Sequence, residues 1–142
     1  MSPTTAIVDR ISAAFAAPDG AHQFALCFAE DAVQHHTFFP APNKGRAEIE
    51  AAEGAMFRGF SDVSLTPVDV HEGSDGWATI EWQVRATNTG PIAMPDGSEI
   101  PATGRAVDLT MVSIVRLDDA GLIAEERRYQ DGLAFMGQLG LL

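Results

Sequence analysis

Four consecutive charges, Glu125-Glu126-Arg127-Arg128, stand in the middle of a run that otherwise reads as a β-strand, residues 122–129. A second strand-like run, residues 106–116, precedes it across a turn of Leu117-Asp118-Asp119-Ala120-Gly121. Two such runs joined by a turn containing Asp and Gly form a hairpin, the least demanding long-range pairing open to a chain. Alternation sends Ala124, Glu126 and Arg128 to one face and Glu125, Arg127 and Tyr129 to the other. Whichever face is inside, charge points into the fold. A short helix over residues 131–139 follows.

Upstream, helical spacing of Ile7, Val8, Ile11, Ala14 and Phe15 predicts a helix over about residues 3–17, ended by Pro18-Asp19-Gly20. A shorter helix is expected over 21–28, with Phe24, Ala25 and Phe28 inward and Cys27 as a small buried filler. Residues 31–39 read as a short strand running into a loop at 40–43. A third helix spans about 46–60, its apolar side made of Ile49, Ala52, Met56, Phe57 and Phe60. Residues 63–70 form a strand interrupted by Pro67, which suits a sheet edge or a bulge. Residues 77–88 form a long strand. Its inward set is either Ile80, Trp82 and Val84 or Glu81, Gln83 and Arg85, the apolar set being the natural choice for a core face. Residues 90–101, with the Pro95-Asp96-Gly97 turn, are a hairpin excursion or a mobile loop over a cavity mouth.

Segregated helices and strands give an α+β class in one domain over residues 1–142. A curved sheet wrapped around the third helix leaves a cone with one open mouth, a natural ligand pocket. At 46% hydrophobic residues the chain can bury a core. No run of eighteen apolar residues reads as a membrane span, and the N-terminus lacks the pattern of a signal peptide. A single cysteine, Cys27, leaves no internal disulfide. A cytoplasmic location is the simplest expectation. A formal net charge of −11 argues against a nucleic-acid partner. The four histidines show no metal-ligand spacing, so no metal is expected, and no phosphate loop, nucleophile elbow or dinucleotide fingerprint occurs.

Several pieces, in order along nearly the whole chain, carry a resemblance. They are Phe28-Ala29-Glu30-Asp31-Ala32-Val33, Gly45-Arg46-Ala47-Glu48-Ile49, Ala86-Thr87-Asn88-Thr89-Gly90 and Ile100-Pro101-Ala102-Thr103-Gly104-Arg105. The tail Tyr129-Gln130-Asp131-Gly132-Leu133 with Gln138-Leu139-Gly140 completes the set. The chain resembles the SnoaL-like polyketide cyclases of the nuclear transport factor two-like superfamily. The resemblance implies helices packed on a strongly curved mixed β-sheet forming a cone with an internal pocket, usually in dimers or tetramers. It implies cofactor-independent chemistry on a small hydrophobic or polyketide-like molecule, with an aspartate on the last strand as base and a histidine on the preceding strand. Counted back from Gln138-Leu139-Gly140, those positions fall on Arg128 and Ser113, so the family's usual base is absent. An arginine does not act as a general base at neutral pH.

The remaining candidates are His36, Arg128 and Glu126. His36 shares a strand face with Gln34, and a histidine of ordinary pKa suits a general base. Arg128 is the candidate anchor for a developing enolate or a carboxylate, with Glu126 as its partner. Gln34, Phe39, Phe57, Trp82, Met94, Met111, Ser113 and Asp131 are the candidate substrate contacts, Asp131 also reading as the N-cap of the last helix. The expected activity is proton transfer α to a carbonyl, of cyclase, isomerase or lyase type. The alternatives are an epoxide-hydrolase-like hydrolase using Asp131 or Glu126, and a non-catalytic small-molecule-binding module. A homodimer or homotetramer is expected, through the sheet face carrying Glu125, Arg127 and Tyr129.

Overall fold

The computed structural model describes residues 1–142. Helix α1 (Pro3–Ala16) starts at Ser2, whose hydroxyl accepts the Thr5 N–H, with Pro3 in the first turn. Its stripe of Ile7, Val8, Ile11 and Ala14 is buried. Helix α2 (Gly20–Ala25) begins where three elements nearly touch. A Cβ on Gly20 would lie 2.8 Å from the Phe57 ring and 2.9 Å from the Ala14 carbonyl, so only glycine fits. Helix α2 ends three residues earlier than its apolar spacing predicts. Phe28 opens strand β1 (Phe28–His36) instead, because pairing with a distant strand already starts there, with the Ile123 N–H bonded to the Cys27 carbonyl.

A two-residue strand β2 (Asn43–Lys44) leads into helix α3 (Arg46–Gly59). Then come β3 (Phe60–Glu72), β4 (Trp77–Asn88), the short β5 (Ile92–Ala93) and β6 (Glu99–Ile100), β7 (Ala106–Leu117), β8 (Ile123–Gln130) and helix α4 (Gly132–Gln138). The main sheet has the order β2-β1-β8-β7-β4-β3. It is mixed, since β1 runs parallel to β8 while the other neighbours are antiparallel. Register shifts interrupt β1–β8, β3–β4 and β7–β8, and bulges of this kind bend and twist a sheet. Pro67 sits beside one of them on the edge strand β3, where a missing N–H is tolerated.

On β4 the apolar set faces inward: Ile80 and Trp82 are fully buried and Val84 packs beside them. On β8 the shift opposite Arg116 and Leu117 changes the expected facing. Ile123, rather than Ala124, is the buried residue ahead of Glu126, after which alternation holds. The core has two parts. The larger, around Phe24, Phe28, Ile80, Trp82 and Ile123, lies beneath α1 and α2. The smaller gathers Phe60, Ala86, Ile92, Val107, Phe135 and Leu139 at the other end of the sheet. Fully burying an aromatic or branched side chain such as Phe24, Phe28 or Ile80 contributes about 1.5–3 kcal/mol each.

Two polar clamps hold the smaller core closed. Asn88, fully buried, donates from its amide to the carbonyls of Gly59 (2.8 Å) and Gly90 (3.0 Å). Its Oδ1 accepts from Thr103 N (2.6 Å) and Thr103 Oγ1 (2.9 Å). The stretch after β4 is therefore a tied hairpin, with Met94 and Ile100 packed on the smaller core. At the C-terminus, Gln138 Nε2 donates to the Asp108 carbonyl (3.0 Å) and Gln138 Oε1 accepts the Asp108 N–H (2.7 Å), as a neighbouring strand would. Arg105 lies over Gly140, where a Cβ would meet the guanidinium at 2.8 Å. These contacts are what the Thr103-Gly104-Arg105 and Gln138-Leu139-Gly140 pieces build. No helix is long and apolar enough to cross a membrane.

Candidate functional site

A largely apolar cavity with an open mouth lies between the two core clusters. Helix α3 supplies Met56 and Phe57, α1 supplies Phe15, α4 supplies Phe135, and the sheet supplies Leu65, Val84, Leu109 and Met111. Only three polar residues reach this wall: Glu53, Arg128 and Gln130. Gln130 points its amide at the Met111 sulfur, 3.0 Å away.

Strand alternation brings Glu126 and Arg128 inside, beneath α3. Arg128 is 4% exposed. Its Nη1 lies 2.8 Å from Glu53 Oε1, an ion pair whose angle falls short of a hydrogen bond, and its Nη2 donates to Glu126 Oε1 at 3.3 Å. Its Nε has no partner, and the guanidinium sits 5.3 Å from the centre of the Phe24 ring. Glu126 Oε1 also accepts from Gln34 Nε2 at 2.8 Å, and Gln34 Oε1 accepts from Asn43 Nδ2 at 2.9 Å. A polar line thus runs Asn43–Gln34–Glu126–Arg128–Glu53, from the sheet edge to the cavity wall.

Burial sets the protonation along this line. Desolvation raises the Glu53 carboxyl above its ordinary value, Arg128 opposes this, and Glu126 adds to it. Burial alone would lower the Arg128 pKa, but Glu126 and then Glu53 more than offset it, so the guanidinium is held firmly charged. His36 does not keep the ordinary pKa expected of a base. Burial, and then the charge on Arg128, push it down to about 3. Its Nδ1 accepts the Phe38 N–H at 3.1 Å, which places the ring proton on Nε2, an atom without a partner. His36 is therefore a neutral N–H donor packed against Phe38 and Phe39, and it is not among the residues of the cavity wall.

The other candidates separate. Phe57 and Met111 line the cavity. Gln34 and Ser113 are buried beside Arg128: Gln34 bonds Glu126, and Ser113 is the cross-strand partner of Arg128. Phe39 packs on His36. Trp82 lies wholly in the larger core with its indole N–H unpartnered, and Met94 packs on the smaller core; neither reaches the cavity wall. Asp131 is exposed and accepts the Ala134 N–H at 2.9 Å as the N-cap of α4, outside the cavity where the hydrolase alternative needs it. Cys27 is buried, and burial pushes its thiol up to about 11, which suits a filler.

Of the two polar wall residues that sequence reasoning missed, Gln130 and Glu53, the charged one is Glu53. Its signal is present: Ile49, Glu53, Met56, Phe57 and Phe60 follow one another at helical spacing, so a carboxylate interrupts an apolar stripe. Desolvating a carboxyl at such a position is unfavourable without a cation nearby, and Arg128 is that cation.

The family model for the SnoaL-like domain matches residues 8–126 of this chain. Among curated proteins none matches it. Among solved structures, a Jannaschia sp. CCS1 protein named for the SnoaL-like polyketide cyclases superposes with a TM-score of 0.82 at 18% identity, covering 99% of this chain and 93% of its own. TsrD from Streptomyces laurentii superposes with a TM-score of 0.80 at 25% identity, covering 99% and 96%. A Catenulispora acidiphila protein with a ketosteroid isomerase-like fold, in complex with trimethylamine, gives 0.78 at 18% identity, covering 96% and 93%.

Proposed function

The chain belongs to the SnoaL-like domain family, and from that premise we propose that it is a cofactor-independent enzyme of cyclase or isomerase type. It moves a proton next to a carbonyl within a small hydrophobic substrate. The observation that carries this reading is the joint placement of Arg128 and Glu53 on the wall of an otherwise apolar cavity. Arg128, held charged on the cavity wall, is the group for the oxygen on which enolate charge develops. Glu53 exchanges the proton. Its raised pKa makes the ionised form a stronger base than an exposed glutamate and keeps the protonated form available as an acid. Glu126 holds the guanidinium in place. In this reading the proton-exchanging role passes from His36 to Glu53.

The test is hydrogen–deuterium exchange at the α-carbon of a panel of bicyclic and polycyclic ketones in heavy water, followed by NMR. The expected result is enzyme-dependent exchange that falls about 10²–10⁴-fold in Glu53→Gln. Ketones that bind without any exchange would overturn the reading.

One observation favours a second reading, a binding module without turnover: both terminal nitrogens of Arg128 are already engaged by carboxylates. Ligand affinity unchanged in Glu53→Gln, together with absent exchange, supports that module. Assembly as a homodimer, through the face carrying Glu125, Arg127 and Tyr129, belongs to either reading. Tyr129 is half-exposed there. Sedimentation of a monomer at micromolar concentration argues against it.

A further inference from the structure

One guanidinium stands between two buried carboxylates, Glu53 and Glu126, each at most 4% exposed. With both ionised, the cluster holds a net negative charge in an apolar interior, and nothing else nearby balances it. His36 on β1, level with Arg128, is neutral. Cys27, near Glu126, is a buried neutral thiol, and Phe15 of α1, Leu65 of β3, Val84 of β4 and Met111 of β7 add no charge. Uncompensated buried charge is removed most readily by taking up a proton, so the resting site carries one proton on one of the two carboxyls.

The hydrogen bonds are unequal. Glu126 Oε1 accepts two N–H groups, from Gln34 at 2.8 Å and from Arg128 at 3.3 Å, and each favours the ionised form. Glu53 has one close approach from Arg128, off the hydrogen-bond line. The Gln34 amide is oriented by its outer partner. Asn43 Nδ2 donates to Gln34 Oε1, so the Gln34 NH₂ group faces Glu126 and offers a carboxylic O–H nothing to donate to.

We infer that the Asn43–Gln34 amide pair is a positioning device: by turning an N–H donor toward Glu126 it leaves the proton of the site on Glu53, at the cavity wall. The cavity then shows its ligand an undissociated acid beside a guanidinium. That arrangement fits a neutral oxygen acceptor, such as the carbonyl of a ketone or lactone, better than a carboxylate. This deepens the functional reading above, since Glu53 is the group said there to exchange the proton. The burial of Glu53 points the same way.

The test is a pH titration of the full chain labelled with ¹³C at the glutamate carboxyls, followed by NMR. It uses no substrate, so it can fail while the exchange assay succeeds, and the reverse. The expected result is one buried carboxyl still protonated at neutral pH, assigned by its loss in Glu53→Gln. In Gln34→Met the Glu53 midpoint moves down, as the proton is shared with the carboxyl that has lost its amide donor. A Glu53 signal already ionised at neutral pH in the unaltered chain overturns the inference, as does an unmoved Glu53 midpoint in Gln34→Met. Should that variant not fold, Asn43→Ala at the partly buried sheet edge replaces it, with a smaller shift of the same sign expected and an unmoved midpoint again overturning the inference.

Discussion

Strand β8 presents the same pair of residues twice. On its outer face Arg127 and Glu125 meet at 2.8 Å, with side chains 50% and 21% exposed. On its inner face Arg128 and Glu126 meet at 3.3 Å, both at 4% or less. The outer contact is shorter, yet it is the weaker element of the structure. Water screens it and would solvate either partner alone, so it contributes about 0–1 kcal/mol. The inner partners have no such refuge, and removing one leaves charge stranded in an apolar wall, which costs about 3–5 kcal/mol. Contact distance ranks these pairs in the wrong order, and burial ranks them in the right one. The neighbouring strand repeats the contrast, with His35 exposed opposite Arg127 and His36 buried opposite Arg128.

The sharpest way to break this comparison is to truncate the two arginines. Arg128→Ala strands Glu53 and Glu126 together and should lower unfolding free energy in urea by about 3–5 kcal/mol, while abolishing ketone exchange. If its loss were no larger than that of Arg127→Ala, the inner site would be wetter than its burial indicates.

Acid extends the comparison to His36, whose pKa is lowered to about 3 in the folded protein. The unfolded histidine binds a proton near pH 6.5 while the folded one does not. Stability from this group is therefore complete above pH 6.5 and is lost as pH falls toward 3, by on the order of 4 kcal/mol. Urea titrations at pH 7 and pH 4 should show a smaller acid loss in His36→Gln than in the unaltered chain; equal losses would rule the histidine out as the cause.

Glu53 has the opposite sign. Its folded pKa is raised, so the folded state keeps a proton that the unfolded state releases above about pH 4.3, and stability falls as pH rises through that window. Glu53→Gln removes this dependence. Its stability relative to the unaltered chain should improve from pH 4 to pH 7, even as exchange activity collapses. The catalytic titration is expected from Glu53, above the ordinary carboxylate range, and it should vanish in Glu53→Gln while surviving in His36→Gln.

The smallest effect belongs to the outer pair. Glu125→Gln and Arg127→Gln should each change stability by less than about 1 kcal/mol, and the change should shrink further in high salt.

Much of this was legible in the chain. Helix α1, the span of β4 and the closing hairpin follow from spacing and turn residues, because local periodicity and burial agree there. The same alternation put Glu126 and Arg128 on one face before any packing was known. Phe28 was misplaced because its capture by Ile123 spans most of the chain and leaves no local mark. The facing of Ala124 was lost to a bulge, which shifts alternation by one residue without a distinctive composition. His36 looked like a base because sequence carries a residue's ordinary pKa and not its desolvation. Glu53 escaped because a glutamate in an amphipathic helix is usually solvated; only the arginine arriving from β8 makes its position tenable.

The double bond from Gln138 to the backbone of Asp108 has a practical consequence for redesign. Helix α4 gives the cavity one side, Phe135, yet its attachment at this end is made by a glutamine from just beyond that side chain. The closing segment thus carries a polar fastening in addition to the packing of Phe135 on the smaller core. Libraries that vary Phe135 among apolar residues and keep Asp131, Gln138 and Gly140 fixed would recut the substrate space from that side.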